Sequence, residues 1–87
     1  MKKDLKEALN GDFTNMDMRG IDFTGRNLSQ ANFKGADLEG ACFIDTVLVS
    51  TNFEGANLKG ADFSCANAWS ANFNETNCKD VVFLSQT

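Results

Sequence analysis

The sequence predicts an all-β chain wound as a four-sided parallel β-helix, and three spacings predict it. All eight phenylalanines, Phe13, Phe23, Phe33, Phe43, Phe53, Phe63, Phe73 and Phe83, fall ten residues apart. Met18, Leu28, Leu38, Leu48 and Leu58 stand midway between them, followed by Ala68 and Cys78, so one core residue recurs every five. A slower pattern runs at twenty: Gly35 and Gly40 return as Gly55 and Gly60, whereas the intervening corners are Asp45, Ser50, Cys65 and Ser70. Five residues per side and twenty per turn close a coil of four sides.

Each position within the five has a physical reason. A period of five fits neither the 3.6 of a helix nor an unbroken strand of period two, but it fits a very short strand followed by a corner. Within that strand the small residue (Ala31, Ala36, Ala41, Ala56, Ala61, Ala66 or Ala71) and the large one two positions later face inward together. The Asn or Asp between them faces outward. Gly20, Gly25, Gly35, Gly40, Gly55 and Gly60 hold the last position, which predicts a positive φ there, as in a type II turn. Met16, Ile21 and Arg26 replace the small residue in the first coil. A buried unpaired Arg is costly, so Arg26 is expected to reach out over the N-terminal end.

These residues closely resemble the pentapeptide-repeat family, whose A(D/N)LXX pattern matches the chain from Gly11 to Ser85. The resemblance implies a right-handed quadrilateral β-helix of just under four coils. The domain reading is then a capping helix at 1–10, the β-helix at 11–85 and a tail at 86–87. For the cap, residues 3–9 are strong helix formers, with Leu5, Ala8 and Leu9 on one stripe, and Asn10-Gly11 stops them.

The C-terminal edge has no such cover, and an uncovered ladder edge invites another chain. Val81, Val82 and Leu84 add apolar character there, which points to an end-to-end homodimer, and members of the resembled family often pair through that end. Elsewhere, residues twenty apart stack on one side, so Ile44, Val47, Val49 and Trp69 gather on a half of the prism read as neutral. This is the candidate protein-contact patch. The competing reading lays Trp69 over Ala66 and Ala68 as packing. The other half carries Lys34 over Glu54, and Arg19, Glu39 and Lys59 alternating in sign.

Composition narrows the function. Eight Lys and Arg against twelve Asp and Glu leave a net charge of −4 without a basic run, which argues against direct nucleic-acid binding. No apolar stretch approaches a membrane span, and the opening MKKDLKEALN lacks the apolar core of an export signal, so the expected location is cytoplasmic. There is no His, no phosphate-binding loop and no nucleophile beside a base, so neither an enzyme, a metal site nor a cofactor is predicted. Cys42 and Cys65 face outward and are open to oxidation, whereas Cys78 belongs to a core column and is expected to be inert. The predicted role is a rigid interaction module for a protein partner. The alternative, drawn from the resembled family, is a DNA mimic that inhibits DNA gyrase or protects it from quinolones.

Overall fold

The computed structural model describes residues 11–85, so the expected capping helix with Leu5, Ala8 and Leu9 lies outside the described residues. Parallel bridges tie each residue to the one twenty positions on: Asp12 to Asn32, Asp17 to Asp37, Asp22 to Cys42 and Asn27 to Val47. The pattern repeats upward as far as Asp62 with Val82. Each turn therefore has four sides. Side 1 comprises 11–15, 31–35, 51–55 and 71–75; side 2 comprises 16–20, 36–40, 56–60 and 76–80. Side 3 comprises 21–25, 41–45, 61–65 and 81–85, and side 4 comprises 26–30, 46–50 and 66–70. Coils 1 to 3 are 11–30, 31–50 and 51–70, and coil 4 begins at residue 71.

The corners form as the spacing requires. In each, the N–H opening one pentad donates to the carbonyl of the large residue before it, as Met16 does to Phe13 at 3.2 Å and Ala36 to Phe33 at 3.0 Å. Every fifth residue from Asn15 to Asp80 has positive φ, between 57° and 75°. Glycine takes this conformation without penalty, but Asp45, Ser50, Cys65 and Ser70 take it as well. The ladder holds those corners from above and below: Cys65 N–H, for example, donates to Leu84 O at 2.9 Å.

The core is two columns of phenylalanine with aliphatic residues between them. On side 1, Phe13, Phe33, Phe53 and Phe73 stack with centroids 4.6, 5.1 and 5.1 Å apart and rings within 8° of parallel. On side 3, Phe43 lies 4.7 Å from Phe63, which lies 5.1 Å from Phe83. Across the axis the columns meet edge to face, as in Phe33 with Phe43 at 5.8 Å and 90°. Stacked and edge-to-face pairs are both favourable ring geometries, so each interior ring is used several times. Met18, Leu38, Leu48 and Leu58 are fully buried between the columns, and Leu28 is partly buried.

Several positions differ from the simple column scheme. Thr46 and Thr51 occupy the small inward position and are buried, with their hydroxyls donating to Phe43 O at 2.6 Å and Leu28 O at 2.8 Å. Bonding to backbone carbonyls removes the penalty of burying a hydroxyl. Cys78, expected within the core, is exposed, and Phe83 is 58% exposed. Both belong to the last coil, above which no described residue lies. At the other end Met16 and Ile21 pack against the core, while Arg26 is exposed.

Candidate functional site

The outward residue of each pentad is fixed by a backbone need. The fourth N–H of a pentad points away from the ladder, and the Asn or Asp two positions earlier accepts it. Thr24 N–H donates to Asp22 Oδ1 at 2.9 Å, Lys34 N–H to Asn32 at 2.9 Å, and Trp69 N–H to Asn67 at 3.2 Å. Local side-chain acceptors of this kind are a common way to satisfy a turn donor. Asp22 also receives the Thr24 hydroxyl at 2.6 Å, and this bond, with the Thr24 N–H, holds its carboxyl below the ordinary carboxylate range.

Three outward positions break the pattern: Cys42, Val47 and Val82. None can accept, so the N–H groups of Ile44, Val49 and Leu84 have no acceptor among the described residues. Two of these gaps adjoin. Cys42 and Ile44 sit at the end of side 3 and Val47 and Val49 at the start of side 4, on either side of the Asp45 corner in coil 2. Directly above Val49, in coil 3, stands Trp69, whose carbonyl accepts Ser50 N–H at 2.9 Å. Trp69 is 71% exposed and Val47 is 38% exposed, while Ile44 and Val49 are half-buried. The sequence scheme groups Ile44, Val47, Val49 and Trp69, with Cys42 beside Ile44, but it misses the two unpaired amides. The available signal was the loss of Asn or Asp from an otherwise regular column.

The half of the prism read as neutral is not uniformly so. Side 3 carries Asp22, Asp45 and Asp62 with no cation, because carboxylates enter at the outward and corner positions as well as after the core residue. Side 4 is the uncharged one. Its only ionisable group among the described residues is Arg26, in coil 1. On the charged half, Arg19 pairs with Asp17 at 3.1 Å and Asp37 at 3.6 Å, and Lys34 reaches Glu54 at 3.9 Å. Arg19 thus bridges the outward carboxylates of coils 1 and 2 on side 2.

The C-terminal edge is also more mixed than expected. Val81 occupies an inward position and packs against the core, whereas Val82 and Leu84 are exposed. Beside them an open hollow of about 360 Å³ is lined by Phe63, Cys65, Ala66, Phe83, Leu84 and Ser85, where side 4 of coil 4 would begin. Among the described residues no group of Cys, Asp and Glu is placed to hold a metal ion.

A bridge every twenty residues, a left-handed corner every five and an inward column of rings define a β-helical solenoid of five-residue repeats. The chain belongs to the pentapeptide-repeat family: the family description Pentapeptide repeats fits it in eight copies, over residues 10–43 and 41–77. It is similar to a crystal structure of a pentapeptide repeat protein from the Arabidopsis thaliana thylakoid lumen, with 35% identity and a TM-score of 0.78. That match covers 79% of this chain and 48% of the Arabidopsis one, so the chain corresponds to about half of its relative's length. HetL, described as involved in heterocyst differentiation regulation in Nostoc sp. strain PCC 7120, shares the fold at 24% identity and a TM-score of 0.52, over 80% of this chain and 39% of its own. A second Nostoc pentapeptide repeat protein matches at 21% identity and a TM-score of 0.53, over 94% of this chain and 92% of its own. These relatives make the coil a right-handed quadrilateral β-helix. No curated protein matches the chain.

Proposed function

We propose that the chain is a rigid, non-catalytic interaction module that binds a protein partner across the coil 2 corner, through Ile44, Val47, Val49 and Trp69. One observation carries the reading. At this corner the repeat gives up two acceptors that it keeps almost everywhere else, leaving two backbone amides beside a largely exposed indole. A hydrogen bond forgone costs roughly 0.5–1.5 kcal/mol, so apolar residues here weaken the fold and make sense as a contact surface. Exposed Trp is enriched at the energetic centres of interfaces. The matching partner offers an apolar segment whose carbonyls receive the Ile44 and Val49 amides.

Mimicry of DNA is the less supported reading. A mimic needs unbroken rows of carboxylates, whereas Asp12 and Asp17–Asp37 give way upward to Asn32, Asn52 and Asn72 on side 1 and to Asn57 and Asn77 on side 2. Affinity capture with immobilised wild-type protein tests the first reading. A partner retained by wild type and by Lys34→Ala, but lost with both Trp69→Ala and Val47→Asn, is the expected result. Retention by all variants refutes the corner as the contact, and inhibition of gyrase supercoiling by the wild type would revive the mimic.

A further inference from the structure

We infer that the partner taken up at the coil 2 corner is a cationic segment: it brings an arginine or lysine to Asp45, between the apolar contacts on either side, and Asp45 selects it. This rests on the reading of that corner as a contact surface and names the chemistry of what binds there.

Asp45 is the turn of the corner, with Ile44 just before it and Val47 two residues after. It is exposed, and its carboxylate has no hydrogen bond or ion pair to any described residue. The fold has no use for a carboxylate there. The position lies outside the outward column that accepts turn amides, its φ is 58°, and Gly25 fills the same corner one coil below. Around it the charge is one-sided. On side 3, Asp22 and Asp62 stand in the coils below and above Cys42, to which both are bridged. Each fixes one carboxylate oxygen on a turn amide at 2.9 Å, Asp22 on that of Thr24 and Asp62 on that of Ser64. Arg26, the one cation on sides 3 and 4 among the described residues, lies in coil 1 and acts on Asp22.

A chain laid across the corner touches Ile44 on one side and Val47, Val49 and Trp69 on the other, so it also covers the carboxylate between them. A carboxylate taken out of water without a counter-charge is strongly disfavoured. A cation in the partner turns that cost into selection, and a guanidinium matches a carboxylate with two hydrogen bonds. The neighbouring Asp22 and Asp62 add to the same field and repel an acidic segment. Side 4 carries no charge in coils 2 and 3, so the apolar part of the partner belongs there. An isologous contact with a second copy would set the same acidic patch against itself, so a symmetric dimer does not use this surface.

Trp69 is the only tryptophan in the sequence, so its emission reads occupancy of the corner directly. The full chain is titrated with three blocked heptapeptides, Ser-Leu-Val-X-Val-Leu-Ser, in which X is arginine, its uncharged isostere citrulline, or glutamate. Wild type is expected to bind the arginine peptide about tenfold more tightly than the glutamate one, with citrulline between, and the preference to shrink as salt rises. Asp45→Asn keeps a residue suited to the left-handed corner and is expected to reduce the preference to about twofold or less. Glu75→Gln removes the same charge from side 1 and is expected to keep the preference. Equal binding of the three peptides by wild type, or a preference that survives Asp45→Asn, overturns the inference and leaves the corner as a contact. A loss in Glu75→Gln as large as in Asp45→Asn overturns it in favour of net charge alone. Trp69 emission unmoved by every peptide refutes the corner itself.

Discussion

The outward Asx residue is the smallest unit on which this fold depends. It bears no charge requirement, since Asn serves at Asn27, Asn32, Asn52, Asn57, Asn67, Asn72 and Asn77 as Asp does at Asp22 and Asp62. What matters is an oxygen two residues before the turn amide. Where that oxygen belongs to a carboxylate, pH enters. The Asp22 carboxyl titrates below its ordinary value of 3.8 because the Thr24 hydroxyl and amide both donate to it. Its contribution is therefore complete above the unfolded-state value and is lost as pH falls through the folded one. Asp22→Asn keeps the acceptor and removes the titration, so its melting temperature is expected to fall less than that of wild type below about pH 4. A circular-dichroism series in acid checks this. From sequence, the column was legible as outward and polar, which is what a period of two requires. Its role as an amide acceptor was not, because that depends on where the fourth N–H points, and periodicity is silent on it.

At the scale of the coil, the two ring columns supply most of the rigidity. Phe53 is wholly buried, stacks on Phe33 and Phe73 at 5.1 Å and meets Phe43 and Phe63 edge to face. Phe53→Ala is expected to cost about 3–5 kcal/mol, enough to unfold much of so small a domain at moderate temperature. Phe83→Ala removes a ring supported only from below and already half in solvent, and is expected to cost about a third as much. Urea titration of the two variants measures the ratio, and equal losses would show that the column does not act as a stack. The coil itself was readable from the phenylalanines and the corner glycines, since a strict period leaves few other geometries. The end effects were not. A column rule treats Cys78 and Phe83 like their counterparts below, although burial in a solenoid comes from the neighbouring coil. Val81 packs against the core because its place in the pentad points inward, which its apolar character alone does not reveal.

Over the whole molecule, the regularity of the repeat makes its exceptions informative. The sides are unlike in charge, with side 3 holding only carboxylates and side 4 a lone Arg26 among the described residues. The two ends are unlike in hydrogen-bond polarity, and the Asp45 corner brings together two of the three outward positions that lack an acceptor. A chain selected for stability alone would carry Asn at position 47, as it does directly above at Asn67, its bridged neighbour. On the proposed function, Val47 serves contact at the expense of the fold. Thermal unfolding of Val47→Asn beside Asn67→Val tests this without knowledge of the partner. If the amides of Val49 and Trp69 each contribute about 1 kcal/mol when accepted, Val47→Asn melts roughly 4–8 °C higher than wild type and Asn67→Val lower by a similar amount. A Val47→Asn protein that melts at or below the wild-type temperature would mean that Val47 serves the fold and not a contact.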